Sequence, residues 1–168
     1  SAALDVDEDI QVAFGRDAPD RHPRSEFNFM SSLRDVQRLR DSDPKLTTLS
    51  LRSFACSRFQ PHAWGVLGRF ISGNTALEAL KLEDSLTDER AEKIFDKCKA
   101  SSVKTAEFGN IGHRGISSML PFLSGSERLT SLSITSQDFD TACLDMIADT
   151  LKGGPLTHLN LSDCQIKN

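Results

Sequence analysis

The chain has 168 residues, of which 38% are hydrophobic and 26% are charged; its formal net charge at pH 7 is −4 and its isoelectric point is near 5.5. A chain of this length and composition can bury a sizeable core without disulfides or structural metal ions. The acidic balance excludes the basic surface that nucleic-acid binding requires, and no apolar run approaches the roughly 18 residues of a membrane-spanning helix.

Residues 1–25 are predicted to form a flexible tail. They open with an acidic run and continue with the sequence GRDAPDRHPR. Segments with much charge and little apolar surface do not gain enough from burial to fold independently. We therefore expect no stable element before residue 26.

The next segment, residues 26–43, is predicted to be an amphipathic helix. Its apolar residues recur at roughly helical spacing, at Phe29, Leu33, Val36 and Leu39. Such a helix could cap the first strand of the domain, and a degenerate extra repeat is the alternative.

From residue 44 to residue 168 the chain contains an internal repeat, with four complete units and a truncated fifth. Each unit begins with three apolar residues spaced L-x-x-L-x-L. The triplets begin at intervals of 31, 26, 26 and 27 residues, and they are Leu46/Leu49/Leu51, Leu77/Leu80/Leu82, Val103/Ala106/Phe108, Leu129/Leu132/Ile134 and Leu156/Leu159/Leu161. A near-constant interval of this size, recurring four times, is typical of repeat architectures.

Within each unit the hydrophobic period changes from 2 to 3.6 residues, which predicts a strand followed by a helix. The clearest helix is expected between Asp140 and Lys152, before the stop signal Gly153-Gly154-Pro155. Stacked units of this kind share one core, with parallel strands on one side and helices on the other. We therefore predict an α/β fold, a right-handed β-α superhelix with a concave parallel sheet and helices on the convex side.

The last two units resemble the ribonuclease-inhibitor-like class of leucine-rich repeats, which follow the pattern L-x-x-L-x-L-x-x-N/C-x-I/L. They read LTSLSITSQDF from Leu129 and LTHLNLSDCQI from Leu156. The resemblance implies that Cys164, at the Asn/Cys position, turns the chain out of the strand and satisfies backbone groups of the neighbouring repeat. Gln137 would fill that role imperfectly. The fifth unit lacks its helix, so we expect the chain to be a segment of a larger protein.

The resemblance further implies that a protein partner binds along the concave face, where the strand positions between core residues point. Candidate contact residues on that face are Ser50, Arg52, Lys81, Glu83, Glu107, Ser133, Thr135, His158 and Asn160. This set is polar and contains no aromatic side chain, although aromatic residues are common at interface hot spots. A merely solvated sheet face is the alternative.

Other residues that carry chemistry are scattered along the sequence. The histidines are His22, His62, His113 and His158, and the cysteines are Cys56, Cys98, Cys143 and Cys164. Neither set shows metal-ligand spacing, so we predict no metal site, no cofactor, no small-molecule ligand and no catalytic activity. Unpaired cysteines also favour an intracellular, cytoplasmic protein. Trp64 is expected to serve packing, and the sequence GNIGHRG at 109–115 is expected to form a tight turn.

The leading functional hypothesis is a protein–protein interaction scaffold within a larger regulatory or recognition protein. One branch of the resembling family activates GTP hydrolysis, which makes a regulator of a small GTPase the second hypothesis. A passive structural spacer is the third.

Overall fold

The computed structural model describes residues 6–15, 23–52, 57–82, 86–99, 102–136 and 138–167. Six helices and seven strands lie in these ranges. In chain order they are α1 (Glu8–Phe14), α2 (Pro23–Arg40), β1 (Thr48–Leu51), α3 (Ala63–Gly73), β2 (Ala79–Leu82), α4 (Asp88–Phe95), β3 (Thr105–Phe108), α5 (His113–Ser124), β4 (Ser131–Ile134), β5 (Phe139–Asp140), α6 (Thr141–Leu151), β6 (His158–Asn160) and β7 (Ile166–Lys167).

The main sheet is parallel and open, with the strand order β1-β2-β3-β4-β6. Each of its strands pairs with the strand of the same sheet that follows it along the chain, and one helix lies between every two. Successive helices from α2 to α6 contact one another in the same order. The predicted α/β class with a parallel sheet is thereby confirmed, and so is the strand-then-helix unit.

The core lies between this sheet and the helices. Strand residues alternate between the two faces of the sheet because successive side chains point in opposite directions. Paired strand positions form two inward rows that are at most 3% exposed, namely Leu49, Leu80, Ala106 and Leu132, then Leu51, Leu82, Phe108 and Ile134. Trp64, on α3, is 3% exposed and belongs to the same core, as predicted.

The helix boundaries follow from local signals in the sequence. Thr87 is the N-cap of α4, and its hydroxyl accepts a hydrogen bond from the Arg90 backbone amide at 3.3 Å. Asp140 is the N-cap of α6, and its carboxylate accepts from the Cys143 amide at 2.8 Å. Such acceptors satisfy backbone amides that have no partner within the helix. The predicted helix between Asp140 and Lys152 is confirmed, with these two residues as its caps.

Asn74 is a buried polar residue in the turn between α3 and β2. Its side-chain amide donates to the Leu39 carbonyl at the end of α2, at 2.9 Å. Its carbonyl oxygen accepts from the backbone amides of Ala76 and Leu77 at 2.9 and 2.7 Å. The side chain therefore ties the end of α2 to the start of the next strand, and a buried polar group must make such bonds to avoid a desolvation penalty.

The prediction of a flexible tail is wrong for residues 6–15, which contain α1. Three apolar side chains at helical spacing are at most 5% exposed there, namely Val6, Ile10 and Phe14. The Arg40 guanidinium, on α2, contacts the Asp7 and Asp9 carboxylates at 2.7 and 3.3 Å. The segment folds because its apolar side chains are buried and because Arg40 of α2 pairs with two of its acidic residues.

The predicted helix of residues 26–43 is observed as α2, which begins at Pro23 and ends at Arg40. Its four predicted core residues, Phe29, Leu33, Val36 and Leu39, are all fully buried. Among the described residues, no helix combines the length and hydrophobicity needed to cross a lipid bilayer.

Candidate functional site

The face of the main sheet that points away from the core carries a row of polar side chains. The row runs across all five strands at one register position, and its members are Ser50, Lys81, Glu107, Ser133 and Asn160. Ser50 and Asn160 are exposed, and the other three are half-buried. We call these five residues the polar row. With strands about 4.8 Å apart, the row is about 19 Å long.

Opposite charges occupy the centre of the polar row. Lys81, on β2, is the register partner of Glu107, on β3. A second row lies two residues earlier on each strand. It is uncharged from Thr48 on β1 to Ser131 on β4, and it ends at His158 on β6. The face therefore offers hydrogen-bonding groups and one neutral pair of charges, which suits a polar protein surface and not a polyanion.

Four of the nine predicted contact residues do not belong to the polar row. Arg52 follows the end of β1 and is exposed. Thr135 follows β4, and its hydroxyl accepts from the Asn110 amide at 3.0 Å. His158 is exposed and its Nδ1 lies 2.8 Å from the Thr157 hydroxyl. Glu83 lies outside the described residues.

Asn160 belongs to the row but is partly engaged, because its side-chain oxygen accepts from the Ser162 amide at 3.0 Å. The remaining members, Ser50, Lys81, Glu107 and Ser133, occupy successive strands without interruption. These four are therefore the best-placed candidates for contact with a partner.

Cys164 lies where the resemblance places a turn residue. Its thiol donates to the Ile134 carbonyl, at the end of β4, at 3.2 Å. Ile134 is the last residue of the neighbouring unit's strand, so the bond joins adjacent units. Burial raises the pKa of the Cys164 thiol, and the neutral thiol is the form that donates this bond.

A second cluster brings together three side chains from the starts of α5 and α6. His113 is the first residue of α5, and its Nδ1 lies 3.2 Å from the Cys143 Sγ and 3.5 Å from the Asp140 Oδ2. The His113 and Asp140 side chains are each 44% exposed, whereas Cys143 is fully buried. We call these three residues the ligand cluster.

The pKa values of Asp140 and Cys143 in the ligand cluster are shifted in opposite directions. The Cys143 backbone amide donates to the Asp140 carboxylate and, together with the nearby thiol and imidazole, holds the pKa of Asp140 below its ordinary value. Burial raises the pKa of the Cys143 thiol above its ordinary value, and the carboxylates of Asp140 and Asp138 raise it further. At neutral pH the cluster therefore holds a carboxylate beside a protonated thiol.

The position of His113 is fixed from the neighbouring helix. The Asp88 carboxylate, in the first turn of α4, accepts from the backbone amides of Gly112 and Gly115 at 2.9 and 3.0 Å. These amides flank His113 at the start of α5. Only the first part of GNIGHRG forms the predicted turn, with Asn110 at a φ of 58°, because residues 113–115 already belong to α5. Asp88 anchors the junction between the two parts. Spacing along the sequence does not reveal the ligand cluster, because 30 residues separate His113 from Cys143.

No protein-family model matches the chain, and no curated protein sequence matches it significantly. Among solved structures, the chain is similar to leiomodin-1 actin-binding site 2, with a TM-score of 0.64 and 18% sequence identity. The similarity covers 86% of this chain and 80% of the leiomodin-1 chain. At this level of identity the likeness concerns the fold alone.

Proposed function

We propose that the chain is a protein-binding module in which leucine-rich repeats of the ribonuclease-inhibitor type form a solenoid, and that its partner contacts the polar row. The repeat is supported by the second residue of each apolar triplet, which falls on successive strands at matching register, and by the third residue on β1 to β4. The bond from the Cys164 thiol to Ile134 corresponds to the role that the resemblance gives the Asn/Cys position.

The observation that carries the binding proposal is the continuity of the polar row. Side chains at one register of adjacent parallel strands form an extended surface on a rigid scaffold, and repeat proteins of this architecture use such surfaces to hold partners. The row needs no rearrangement to present Lys81 and Glu107 to a partner, because both stand on strands in the middle of the sheet.

Actin is the first partner to test, because the leiomodin-1 region of similar fold is an actin-binding site. Binding of monomeric and filamentous actin can be measured directly with the purified chain. If neither form binds, partners are to be captured by affinity purification and identified, and each is then measured with the variants below.

The decisive variant exchanges the two central charges, as Lys81→Glu with Glu107→Lys. It preserves net charge and the pairing of opposite charges across β2 and β3, so the fold should be retained. A partner that contacts the polar row should lose affinity at least about tenfold, equivalent to about 1.4 kcal/mol of binding free energy. The reason is that partner groups opposite residues 81 and 107 would then face charges of their own sign.

A matched control makes the same exchange on the helical side of the molecule. Asp149→Lys with Lys152→Glu alters two exposed residues at the end of α6, three positions apart in sequence, and also keeps net charge. The proposal expects the control to bind like the wild type. Equal binding by wild type and the Lys81/Glu107 variant, or a loss only in the α6 control, would contradict it.

A further inference from the structure

We propose that the ligand cluster of His113, Asp140 and Cys143 binds a divalent transition-metal ion, and that its donor atoms suit zinc best. One atom of each residue lies within 4.8 Å of those of the other two. Imidazole nitrogen, thiolate sulfur and carboxylate oxygen are the three donor types that zinc accepts in proteins.

The two donor distances from His113 are close to those of a tetrahedral site. With metal–sulfur bonds of about 2.3 Å and metal–nitrogen or metal–oxygen bonds of about 2.0–2.2 Å, donor atoms stand about 3.3–3.6 Å apart. The Nδ1 of His113 lies 3.2 Å from the Cys143 Sγ and 3.5 Å from the Asp140 Oδ2. The Cys143 Sγ and the Asp140 carboxylate lie within 4.8 Å of each other, so their approach is the adjustment needed to place all three donors around one ion, with water as the fourth ligand.

Surrounding bonds hold two of the donors in place. The Oδ1 of Asp140 accepts from the Cys143 amide at 2.8 Å, so Oδ2 is the oxygen that faces His113. The Asp88 carboxylate fixes the α5 backbone on both sides of His113. Bonds that orient metal ligands in this way contribute to affinity because less ordering is needed when the ion binds.

Charge provides the third argument. With the thiol ionised, Cys143 and Asp140 offer two negative charges, and a dication neutralises the pair. A cysteine coordinates zinc as the thiolate, so its proton leaves when the ion binds. Metal binding should therefore release about one proton per ion as the thiol ionises, and affinity should rise with pH.

The exposure of the cluster gives an ion a route of entry. The buried sulfur of Cys143 lies at the base, and the half-exposed side chains of His113 and Asp140 lie toward solvent. A bound ion would join the starts of α5 and α6, which belong to neighbouring repeat units. We therefore expect zinc to raise the melting temperature of the domain by mass action, as any ligand specific to the folded state does.

The test titrates the metal-free 168-residue chain with Zn²⁺ alone, by calorimetry in buffers of different ionisation enthalpy. The expected result is one ion bound per chain with release of about one proton. Co²⁺ should then give a sulfur-to-metal charge-transfer band and the strong visible absorption of tetrahedral cobalt, neither of which a hydrated ion shows.

Three variants locate the site, namely His113→Ala, Cys143→Ser and Asp140→Asn. Each should weaken Zn²⁺ binding by about 100-fold or more, since ligand loss costs at least as much as loss of a bond that orients a ligand. Asp140→Asn retains an acceptor for capping α6, so it separates loss of metal from loss of fold. Cys164→Ser is the matched control and should bind as the wild type does.

The proposal would be overturned by the absence of one-to-one binding, by Co²⁺ spectra without the sulfur band, or by Zn²⁺ affinity that survives all three substitutions. Loss of binding in Cys164→Ser with retention in Cys143→Ser would place the metal elsewhere and would equally refute it. None of these outcomes bears on the polar row, which lies on separate residues.

Discussion

Replacing Phe108 by alanine should lower the free energy of unfolding by about 3–5 kcal/mol, because the change leaves a cavity at the junction of the sheet and two helices. Phe108 ends β3 and is 1% exposed. Its ring centroid lies 5.3 Å from that of Phe95, on α4, and 6.1 Å from that of Phe122, on α5. Phe95 and Phe122 both lie on helices, so Phe108 is the one of these three rings that lies on the sheet.

The measurement is equilibrium denaturation followed by circular dichroism. Phe27→Ala is the matched control, because Phe27 lies on α2 and is 58% exposed. That substitution should alter the unfolding free energy by no more than about 0.5 kcal/mol. Phe108→Leu should fall between the two, since it restores part of the volume. Similar stabilities for Phe108→Ala and Phe27→Ala would refute the packing described for β3.

Substitution of Gly68 by alanine should destabilise the protein by about 1–3 kcal/mol through overpacking between α3 and α4. A Cβ atom at Gly68 would lie 2.1 Å from the Ile94 carbonyl oxygen and 3.2 Å from its Cα. Both are backbone atoms of α4, so the two helices would have to separate. Alanine improves helix propensity by only about 1 kcal/mol, and the clash should outweigh that gain.

Gly73, in the last turn of the same helix, provides the control for this substitution. A Cβ atom there meets nothing within 4 Å. Gly73→Ala should therefore leave stability unchanged or raise it by up to about 1 kcal/mol. Thermal unfolding of both variants tests the prediction, and a Gly68→Ala protein as stable as Gly73→Ala would show that α3 and α4 do not approach as closely as described.

The repeat made most of the fold predictable from sequence. The apolar triplets identify β1 to β4 and β6 because a strand that is half-buried must alternate, and the change to a 3.6-residue period identifies the helices that follow. Register also follows from the triplets, since aligned repeats place corresponding residues side by side. The polar row is therefore the part of the candidate site that could be predicted from the sequence.

Features that depend on contacts between distant segments could not be predicted in the same way. The acidic run at the start concealed the spacing of Val6, Ile10 and Phe14, whose stripe is stabilised only once α2 lies beside it. The pairing of Arg40 with Asp7 and Asp9 likewise links residues more than 30 positions apart. Composition does not show which charges form pairs, and for that reason α1 was not predicted.

The ligand cluster was missed for a related reason, although the repeat contained a usable signal. His113 and Asp140 each follow the first residue of their unit's apolar triplet by ten or eleven positions, which places both at the start of a helix. Because neighbouring units stack in register, residues at equivalent positions are close in space. Alignment of histidines, cysteines and carboxylates by repeat position, and not by spacing along the chain, would have brought these residues together.

The most direct test of the proposed binding surface is chemical footprinting of lysines in the complex with a partner. Lys81 lies in the polar row and Lys152 lies beyond α6, so the two report on opposite sides of the domain. With partner bound, acylation of Lys81 should slow severalfold while acylation of Lys152 stays at its free rate. Unchanged modification of Lys81 together with protection of Lys152 would show that the partner binds the helices and would contradict the proposal.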